Sequence, residues 1–208
     1  MNRLIIVGAG VFGRQALEIA LAQQKYSVIG FYDDFNSDKT FEELPIFGKI
    51  DQLQVDFLNN KFDFVFYGIG YNHLSFKQSL IHKFPAIPMA TIVHPSVIIE
   101  NSAKIEDGVL IYPRSYIGPR VHLHKGVVVN INSLLPHDNE IGIASFLSVG
   151  INIGGNVKIG ERSFIGIGTT TSDSLSICDD VFVGAGSLVL KSIEEPGTYV
   201  GSPVKKIK

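Results

Sequence analysis

The sequence predicts a chain of two units, an α/β unit over residues 1–92 and an all-β unit of the parallel β-helix type over residues 93–208. Two observations predict this division. Up to residue 92, short apolar runs alternate with helix-like segments, whereas after it aliphatic residues recur at every sixth position. The composition, 45% hydrophobic and 18% charged, is typical of a globular protein.

The α/β unit is predicted from strand-like and helix-like segments in turn. The run RLIIVG predicts a strand, residues 11–23 a helix, YSVIGFYDD and FDFVFYGIG two more strands, and residues 73–84 a second amphipathic helix. Strand, helix and strand in this order predict a parallel sheet with right-handed crossovers.

The β unit is predicted from a repeat of six residues. Of the seventeen positions counted in steps of six from Val93, sixteen are aliphatic and one is Thr171. The positions are Val93, Ile99, Ile105, Ile111, Ile117, Leu123, Val129, Leu135, Ile141, Leu147, Ile153, Ile159, Ile165, Thr171, Ile177, Val183 and Val189. A period of six fits neither a helix nor an alternating strand, but it is typical of parallel β-helices that stack one aliphatic residue on the next. Because the register never slips, we expect no long loop to leave the β-helix.

This repeat resembles that of the hexapeptide-repeat acyltransferase superfamily. The resemblance implies a left-handed β-helix with three hexads per coil, usually in a trimer that binds acyl-CoA between neighbouring subunits. Residues 18 apart in sequence would then lie one above the other at the strand spacing of ~4.8 Å.

His137 is the candidate general base. Of the six histidines, it alone is followed directly by a carboxylate, Asp138. A carboxylate that hydrogen-bonds an imidazole fixes its tautomer and raises its basicity. One coil further on, Gly155 could offer a backbone N–H to an oxyanion, and one hexad earlier Asn130 offers an amide near the same face. For the two residues taken alone, a solvated surface His-Asp pair is the alternative.

Three segments carry a more specific resemblance: VVVNINSLLPHDNEIG, GGNVKIGERSFIGIG and YVGSPVKKIK. They resemble acetyltransferases that act on nucleotide-linked sugars, a family that includes the bacillosamine-, perosamine- and viosamine-pathway N-acetyltransferases and proteins of the sialic acid O-acetyltransferase type. The resemblance implies acetyl-CoA as co-substrate and no metal. Its catalytic residues match His137, Asp138 and Asn130, and its oxyanion and acetyl-CoA contacts match Gly155, Ile167 and Ala185. Phe146 stands where some relatives carry a second histidine that touches the cofactor.

The stretch GAGVFG near the start of the chain is the candidate nucleotide site. It follows a strand and opens a helix, where backbone amides and the helix N-terminus can bind a phosphate. Two aspartates end the next strand about 20 residues on, where a ribose or base contact is expected. A GIG stretch ends a third strand at the same edge. The predicted sugar-nucleotide contacts are Gly8, Gly10, Val11, Phe12, Asp33, Asp34, Gly68 and Gly70.

By resemblance the first unit is a truncated Rossmann-like module that binds the nucleotide of the sugar. An NAD site is the alternative interpretation of its glycines. Against NAD, the unit has only about 90 residues, too few for a full six-stranded doubly wound sheet, and no oxidoreductase catalytic domain follows.

Charge and cysteine content exclude other classes. A net charge of −2 and a pI near 6.3 argue against a nucleic-acid or anionic-membrane partner. The single cysteine, Cys178, rules out an internal disulfide and suits a reducing cytoplasm, and no apolar run approaches the roughly 18 residues of a membrane span. A zinc enzyme of the γ-carbonic-anhydrase type needs three bridging histidines, whereas only His122 and His124 lie close together, so we expect no metal site.

We therefore expect an acetyl-CoA-dependent N-acetyltransferase that acts on a 4-amino-4,6-dideoxyhexose linked to UDP or dTDP, for surface glycan biosynthesis. The expected assembly is a cytoplasmic homotrimer of about 68 kDa, built from chains of 22.7 kDa. A sugar O-acetyltransferase of the sialic acid type is the main alternative. A non-catalytic nucleotide-binding β-helix protein is the other.

Overall fold

The computed structural model describes residues 1–208 and begins with a five-stranded sheet and three helices. The elements are β1 Asn2–Val7, α1 Val11–Gln23, β2 Tyr26–Tyr32, β3 Thr40–Phe41, β4 Leu44–Gly48, α2 Leu53–Leu58, β5 Phe64–Tyr67 and α3 Leu74–Lys83. Short 3-10 helices lie at Ile50–Gln52 and Tyr71–His73. The strand order is β3-β4-β2-β1-β5, and β4, β2, β1 and β5 run parallel. The carboxyl ends of these four strands therefore meet at one edge of the sheet.

Helix α1 starts immediately after the glycine-rich turn because small residues let it approach the sheet. A Cβ on Gly13 would collide with the carbonyl oxygen of Gly8, so only glycine permits this contact. The helix buries Ala16, Leu17, Ile19 and Ala20 against the sheet and ends where Gln24 takes a left-handed φ of 58°. The helix boundaries agree with those predicted from the sequence.

Residues 92–201 form a parallel β-helix of three faces, and residues 204–206 fold back antiparallel along its last strand. Its strands are β6 Ile92–Val93, β7 Ile98–Ile99, β8 Lys104–Ile105, β9 Leu110–Ile111, β10 Tyr116–Ile117, β11 His122–Leu123, β12 Val128–Val129, β13 Leu134–Leu135, β14 Glu140–Ile141, β15 Phe146–Leu147, β16 Lys158–Ile159, β17 Phe164–Ile165, β18 Thr170–Thr171, β19 Ser176–Ile177, β20 Val181–Val183, β21 Leu188–Val189, β22 Gly197–Gly201 and β23 Val204–Lys206. The first of these strands straddles the boundary predicted at residue 92.

The three faces follow one another in chain order. Face 1 contains β6, β9, β12, β15, β17, β20, β22 and β23; face 2 contains β7, β10, β13, β18 and β21; face 3 contains β8, β11, β14, β16 and β19. Partner residues on a face are 18 apart, as in the pairs Tyr116 with Leu134 and His122 with Glu140. We name the turns between faces corner 1–2, corner 2–3 and corner 3–1. The coil length of 18 residues that the family resemblance implies is thus the observed one.

The hexad residues form the core of the β-helix. From Ile111 to Val189 each of them is buried, and most are fully buried in one cluster that runs the length of the coil stack. The first coil differs, since Ile99 is 37% exposed. It is the terminal coil and has no neighbour above it, so its aliphatic side chains pack on one side only.

The two units share a second core. Phe146 and Phe164, one coil apart on face 1, lie in the same buried cluster as Leu4 and Ile6 of the N-terminal sheet. The Phe12 ring packs 5.7 Å from Phe146, measured between ring centroids. Because face 1 carries aromatic side chains outward, the N-terminal unit can cover it with apolar contact.

Lys77 of α3 is an exception within the contact between the two units. Its side chain is buried next to the turn at Gly126, its Nζ has no hydrogen-bond partner, and it lies 5.8 Å from the centroid of the Phe66 ring. Burial lowers the pKa of this ammonium group to about 7.

None of the helices of the chain combines the length and apolarity needed to cross a bilayer.

Candidate active site

The predicted base and its acidic partner lie at corner 2–3. His137 and Asp138 form the turn between β13 and β14, and the side chain of His137 is 56% exposed. The Nδ1 atom of His137 is 2.9 Å from Oδ2 of Asp138. Asp138 has a φ of 57°, a left-handed conformation that aspartate tolerates better than most residues. The tight turn therefore brings the two neighbouring side chains together.

Arg120 is a third member of this corner that the sequence analysis missed. It precedes Asp138 by one coil and donates from Nε and Nη2 to the two carboxylate oxygens at 2.6 and 2.7 Å. Hydrogen bonds lower the pKa of the Asp138 carboxyl to about 2, and the bonds from the Arg120 guanidinium contribute more than the one from the His137 ring. Asp138 is therefore ionised at neutral pH, but it shares its charge between a guanidinium and an imidazole. The spacing of 18 residues was the signal that could have revealed Arg120.

Gly155 lies directly beneath the His137 ring. A Cβ at this position would collide with ring atoms Cε1 and Nε2, so the close approach requires glycine. Its backbone N–H, however, donates to Oδ1 of Asp173 at 2.7 Å. This corrects the expectation of a free oxyanion donor, because the next coil places a carboxylate on that amide.

The remaining predicted residues lie at a different corner. Asn130, Ile167 and Ala185 all belong to corner 1–2, one face away from His137. The Oδ1 atom of Asn130 accepts a hydrogen bond from the N–H of Ile131 at 2.8 Å. This corrects the expectation that Asn130 lies near the same face as His137, because one hexad carries the chain along a whole side of the coil. Within one chain the predicted catalytic and acetyl-CoA residues are thus split between two corners.

Face 2, which separates these corners, has an apolar surface. Ile98 is 61% exposed and Leu134 is 47% exposed on its outer side, and Ile131 at corner 1–2 is 36% exposed. Exposed apolar side chains grouped on one face are typical of surfaces that pack against another protein.

Most of the predicted nucleotide contacts lie together in a cleft of about 430 Å³ at the carboxyl edge of the N-terminal sheet. Four residues that the sequence analysis did not select also line the cleft. Three of them belong to the segment that begins at Gly68, after β5. The lining comprises Gly8, Gly10, Val11, Phe12, Asp33, Gly68 and Gly70 from the predicted set, with Phe35, Ile69, His73 and Phe76 in addition. The first turn of α1 opens into this cleft with neither a side-chain cap nor an acidic residue. A helix N-terminus of this kind favours an anionic ligand.

The two aspartates after β2 have different roles. Asp33 accepts hydrogen bonds from the N–H groups of Ala9, Phe35 and Asn36 at 2.7 to 2.8 Å, which holds the glycine-rich turn in place. Asp34 points away from the cleft and accepts from the N–H of Ile50 at 2.9 Å, at the start of a 3-10 helix. Asp34 is absent from the cleft lining, so the cleft gives no support to its predicted nucleotide contact, which stays a prediction.

Phe146 and Cys178 both pack against other side chains of the protein interior. Phe146 is buried against Phe12 and Phe164, so in this chain the position of the relatives' second histidine belongs to the contact between the two units. Cys178 packs at the edge of the β-helix core, and burial raises the pKa of its thiol. A thiol with a raised pKa is a poor nucleophile, as expected for a packing residue.

Comparison with known proteins agrees with this architecture. The family model described as PglD N-terminal domain matches residues 3–84, and the one described as GMPPB C-terminal domain matches residues 93–196, half of the chain. A curated relative, GDP-perosamine N-acetyltransferase of Escherichia coli O157:H7, is 26% identical over 163 residues, which cover 76% of this chain and 72% of the relative.

Solved structures of similar fold span the whole chain. The acetyltransferase domain of PglB from Neisseria gonorrhoeae FA1090 superposes with a TM-score of 0.90 at 26% identity, covering 100% of both chains. The same domain in complex with acetyl coenzyme A superposes with a TM-score of 0.90 at 24% identity, covering 99% of both chains. PerB from Caulobacter crescentus, in complex with CoA and GDP-perosamine, superposes with a TM-score of 0.67 at 24% identity, covering 100% of this chain and 98% of that one.

These similarities confirm the predicted fold class. It is an α/β Rossmann-like unit followed by a left-handed parallel β-helix of hexapeptide repeats. The GMPPB-type family model matches the β-helix, and the PglD-type model matches the unit that carries the cleft at the sheet edge. Through its β-helix the chain belongs to the family described as GMPPB C-terminal domain, and as a whole it is similar to sugar N-acetyltransferases of the hexapeptide-repeat type.

Proposed function

We propose that this enzyme transfers the acetyl group of acetyl-CoA to the amine of a nucleotide-linked amino sugar, with His137 as general base. The observation that carries the proposal is the exposed His137 ring, which is held by Asp138 at 2.9 Å through Nδ1. A carboxylate on Nδ1 favours the tautomer whose Nε2 has a free lone pair. That lone pair is the one that a sugar amine needs as its proton acceptor.

The proposed reaction is direct transfer in a ternary complex. The amine nitrogen attacks the thioester carbonyl carbon and its proton passes to Nε2 of His137. The C–S bond then breaks, and the imidazolium returns the proton to the departing CoA sulfur. General-base assistance of this kind typically contributes ~10²–10⁴-fold to the rate. Gly155 can serve the oxyanion in this scheme only when Asp173 releases its amide.

The site is proposed to form between two copies of the chain in a homotrimer. His137 at corner 2–3 and Ile167 and Ala185 at corner 1–2 flank the apolar face 2 on opposite sides. A threefold ring closed through face 2 would bring corner 2–3 of one copy next to corner 1–2 of its neighbour. Acetyl-CoA would then lie between the two copies, with Asn130 reaching the same space.

Mixing two inactive variants tests this shared site. Chains carrying His137→Ala and chains carrying Ile167→Asp should each be inactive, whereas trimers reassembled from both should regain part of the activity. The regained activity comes from interfaces that hold one intact corner of each kind. If each chain carried its own complete site, mixing would restore nothing, and the shared site would be refuted.

The substrate class proposed is a 4-amino-4,6-dideoxyhexose on UDP or dTDP. The cleft of about 430 Å³, with the aromatic rings of Phe35 and Phe76 at its rim, supports a nucleotide ligand. One relative above is named for GDP-perosamine and another was solved in complex with it, so GDP-linked sugars belong in the same panel. A thiol-release assay should give the highest kcat/KM with the UDP- or dTDP-linked amino sugar. A higher kcat/KM with the GDP-linked sugar would show that the proposed nucleotide is wrong.

A sugar O-acetyltransferase of the sialic acid type is the second candidate, since that branch carries the same segments. The two differ in the bond formed, because an amide survives mild alkali and an ester does not. Mass spectrometry of the product before and after mild base should show one retained acetyl group. A cytoplasmic location and a role in surface glycan biosynthesis belong to the same proposal, and the single cysteine suits such a compartment.

A further inference from the structure

Four side chains with metal-ligating groups meet on face 3, away from the proposed acetyl-transfer site. Glu106 lies one coil before His124, and Glu140 lies one coil after His122. The Oε1 atom of Glu106 is 2.8 Å from Nε2 of His122 and 3.0 Å from Nδ1 of His124. The three groups can place one ligand atom each within 4.8 Å of one another. Successive coils thus bring together donors that no local sequence motif contains.

The outer contacts of the cluster orient these donors. The second oxygen of Glu106, Oε2, accepts the backbone N–H of Lys125 at 3.2 Å, which leaves Oε1 facing the two rings. On the far side of the His124 ring, Nε2 is 3.1 Å from Oε1 of Glu140. A carboxylate on one nitrogen of a histidine fixes the tautomer with the proton on that nitrogen, so the other nitrogen points its lone pair at the centre.

The hydrogen bonds available to the protein alone leave this cluster incomplete. Both nitrogens of His124 face carboxylate oxygens, yet a neutral imidazole has only one N–H to donate. With neutral rings, the two carboxylates also bring two negative charges, and Lys158 makes only a long contact with them, 3.7 Å from its Nζ to Oε2 of Glu140. The two imidazole side chains are only 25% and 30% exposed. A cation at the centre would accept the inward lone pairs and balance the charge.

We propose that Glu106 Oε1, His122 Nε2 and His124 Nδ1 bind a divalent first-row transition cation, with Zn²⁺ as the probe. Glu140 is the outer carboxylate that orients His124, and the fourth coordination position is open to water. In a tetrahedral site with bonds of about 2.0–2.1 Å, the donors lie about 3.3 Å apart, so the three groups need only small displacements. The expectation of no metal site considered the two neighbouring histidines alone, whereas the third ligand proposed here comes from the preceding coil.

The cation would connect two successive coils of the β-helix, that of Glu106 and that of the two histidines, and Glu140 would link the next coil to it through His124. It lies on face 3 and near corner 3–1, whereas His137 lies at corner 2–3. A structural cation that joins coils stabilises the folded state only, since the unfolded chain does not hold the three donors together.

The test uses the full-length protein stripped with a chelator, with Zn²⁺ as the only added ligand. Elemental analysis and titration calorimetry should find about one Zn²⁺ per chain at low micromolar free metal, and an excess of about 100-fold over Kd should raise Tm by about 5 °C. The double variant His122→Ala/His124→Ala should lose both effects. The matched control, His82→Ala/His94→Ala, removes two histidines from outside the cluster and should retain both.

Glu106→Gln is a second variant that keeps the size of the side chain and removes the charged ligand. It should weaken Zn²⁺ binding and abolish the visible absorption of tetrahedral Co²⁺ in the substituted protein, whether or not the double histidine variant folds. The proposal is overturned if wild-type protein binds no Zn²⁺. It is equally overturned if Glu106→Gln binds Zn²⁺ as tightly as the wild type, or if the control variant loses binding as fully as the cluster variant.

Discussion

Replacing Gly155 with alanine should displace the His137 ring and leave the fold intact. The new Cβ would lie inside the van der Waals envelope of ring atoms Cε1 and Nε2 and 3.1 Å from Nδ1. Carbon atoms in contact normally lie about 3.5–4.0 Å apart, so the ring has to move by about 1 Å. The ring ends a flexible side chain that is 56% exposed, so it can swing outward into solvent.

The displacement should lower kcat because it moves the base and stretches its 2.9 Å contact with Asp138. A misplacement of about 1 Å in a catalytic group can cost on the order of 10²-fold in rate. The free energy of unfolding should change by less than about 1 kcal/mol, since the backbone of Gly155 does not have a left-handed φ and the displaced ring reaches solvent. Thiol release at saturating acetyl-CoA and sugar nucleotide measures kcat, and thermal unfolding measures stability.

A double variant separates a displaced base from general damage. In the His137→Ala background there is no ring to displace, so Gly155→Ala should cause no further loss of the residual rate. Wild-type kcat in the Gly155→Ala single variant would refute the assignment of His137 as the base. A further loss of similar size in the double variant would show instead that Gly155 acts independently of the ring.

Arg120→Gln should move the acid limb of the kcat–pH profile to higher pH. In the wild type the Asp138 charge is shared between Arg120 and His137, whereas in the variant it would stabilise the protonated His137 ring alone. An acid limb at the same pH in both proteins would contradict this. Lys77→Met should raise stability by roughly 2–4 kcal/mol near neutral pH, with a smaller gain at pH 10 in thermal melts. Burial lowers the pKa of Lys77 to about 7, so between that value and the ordinary 10.5 the unfolded chain binds more protons and wild-type stability rises with pH. Leu134→Glu on face 2 should convert a trimer of about 68 kDa into 22.7 kDa chains in light scattering, and a wild-type monomer would disprove the trimer.

The six-residue period predicts most of the β-helix, because it assigns each residue after position 92 to the core or to the surface. Aliphatic residues every six positions predict which side chains enter the core, and three hexads per coil predict which residues stack. The same rule places Arg120 above Asp138 and Asp173 below Gly155, so both partners were accessible from spacing alone. They were missed because only the types of residue expected at a reacting centre were sought there.

Other parts of the site depend on contacts between chain copies or between non-repeating segments, which the six-residue period does not predict. The hexad count places Asn130 and His137 seven residues apart, but it does not say which corner of a neighbouring copy faces which. The pair Asp33 and Asp34 shows the same limit on a smaller scale. Their hydrogen bonds go to Ala9 and Ile50, and the approach of those two segments depends on how the sheet and the following 3-10 helix pack.

The core shared by the two units bears on how this enzyme can evolve. Phe146 and Phe164 of the second unit lie in one buried cluster with Leu4 and Ile6 of the first, and the half-buried Phe12 packs against it. A cut near residue 92 would therefore leave each piece with an exposed apolar surface. Recombination that exchanges the N-terminal unit for that of a distant relative would have to exchange the matching rings of face 1 as well. A change of sugar nucleotide should therefore arise more readily by point substitutions at the rim of the cleft, such as Phe35 and Phe76, than by exchange of the whole unit.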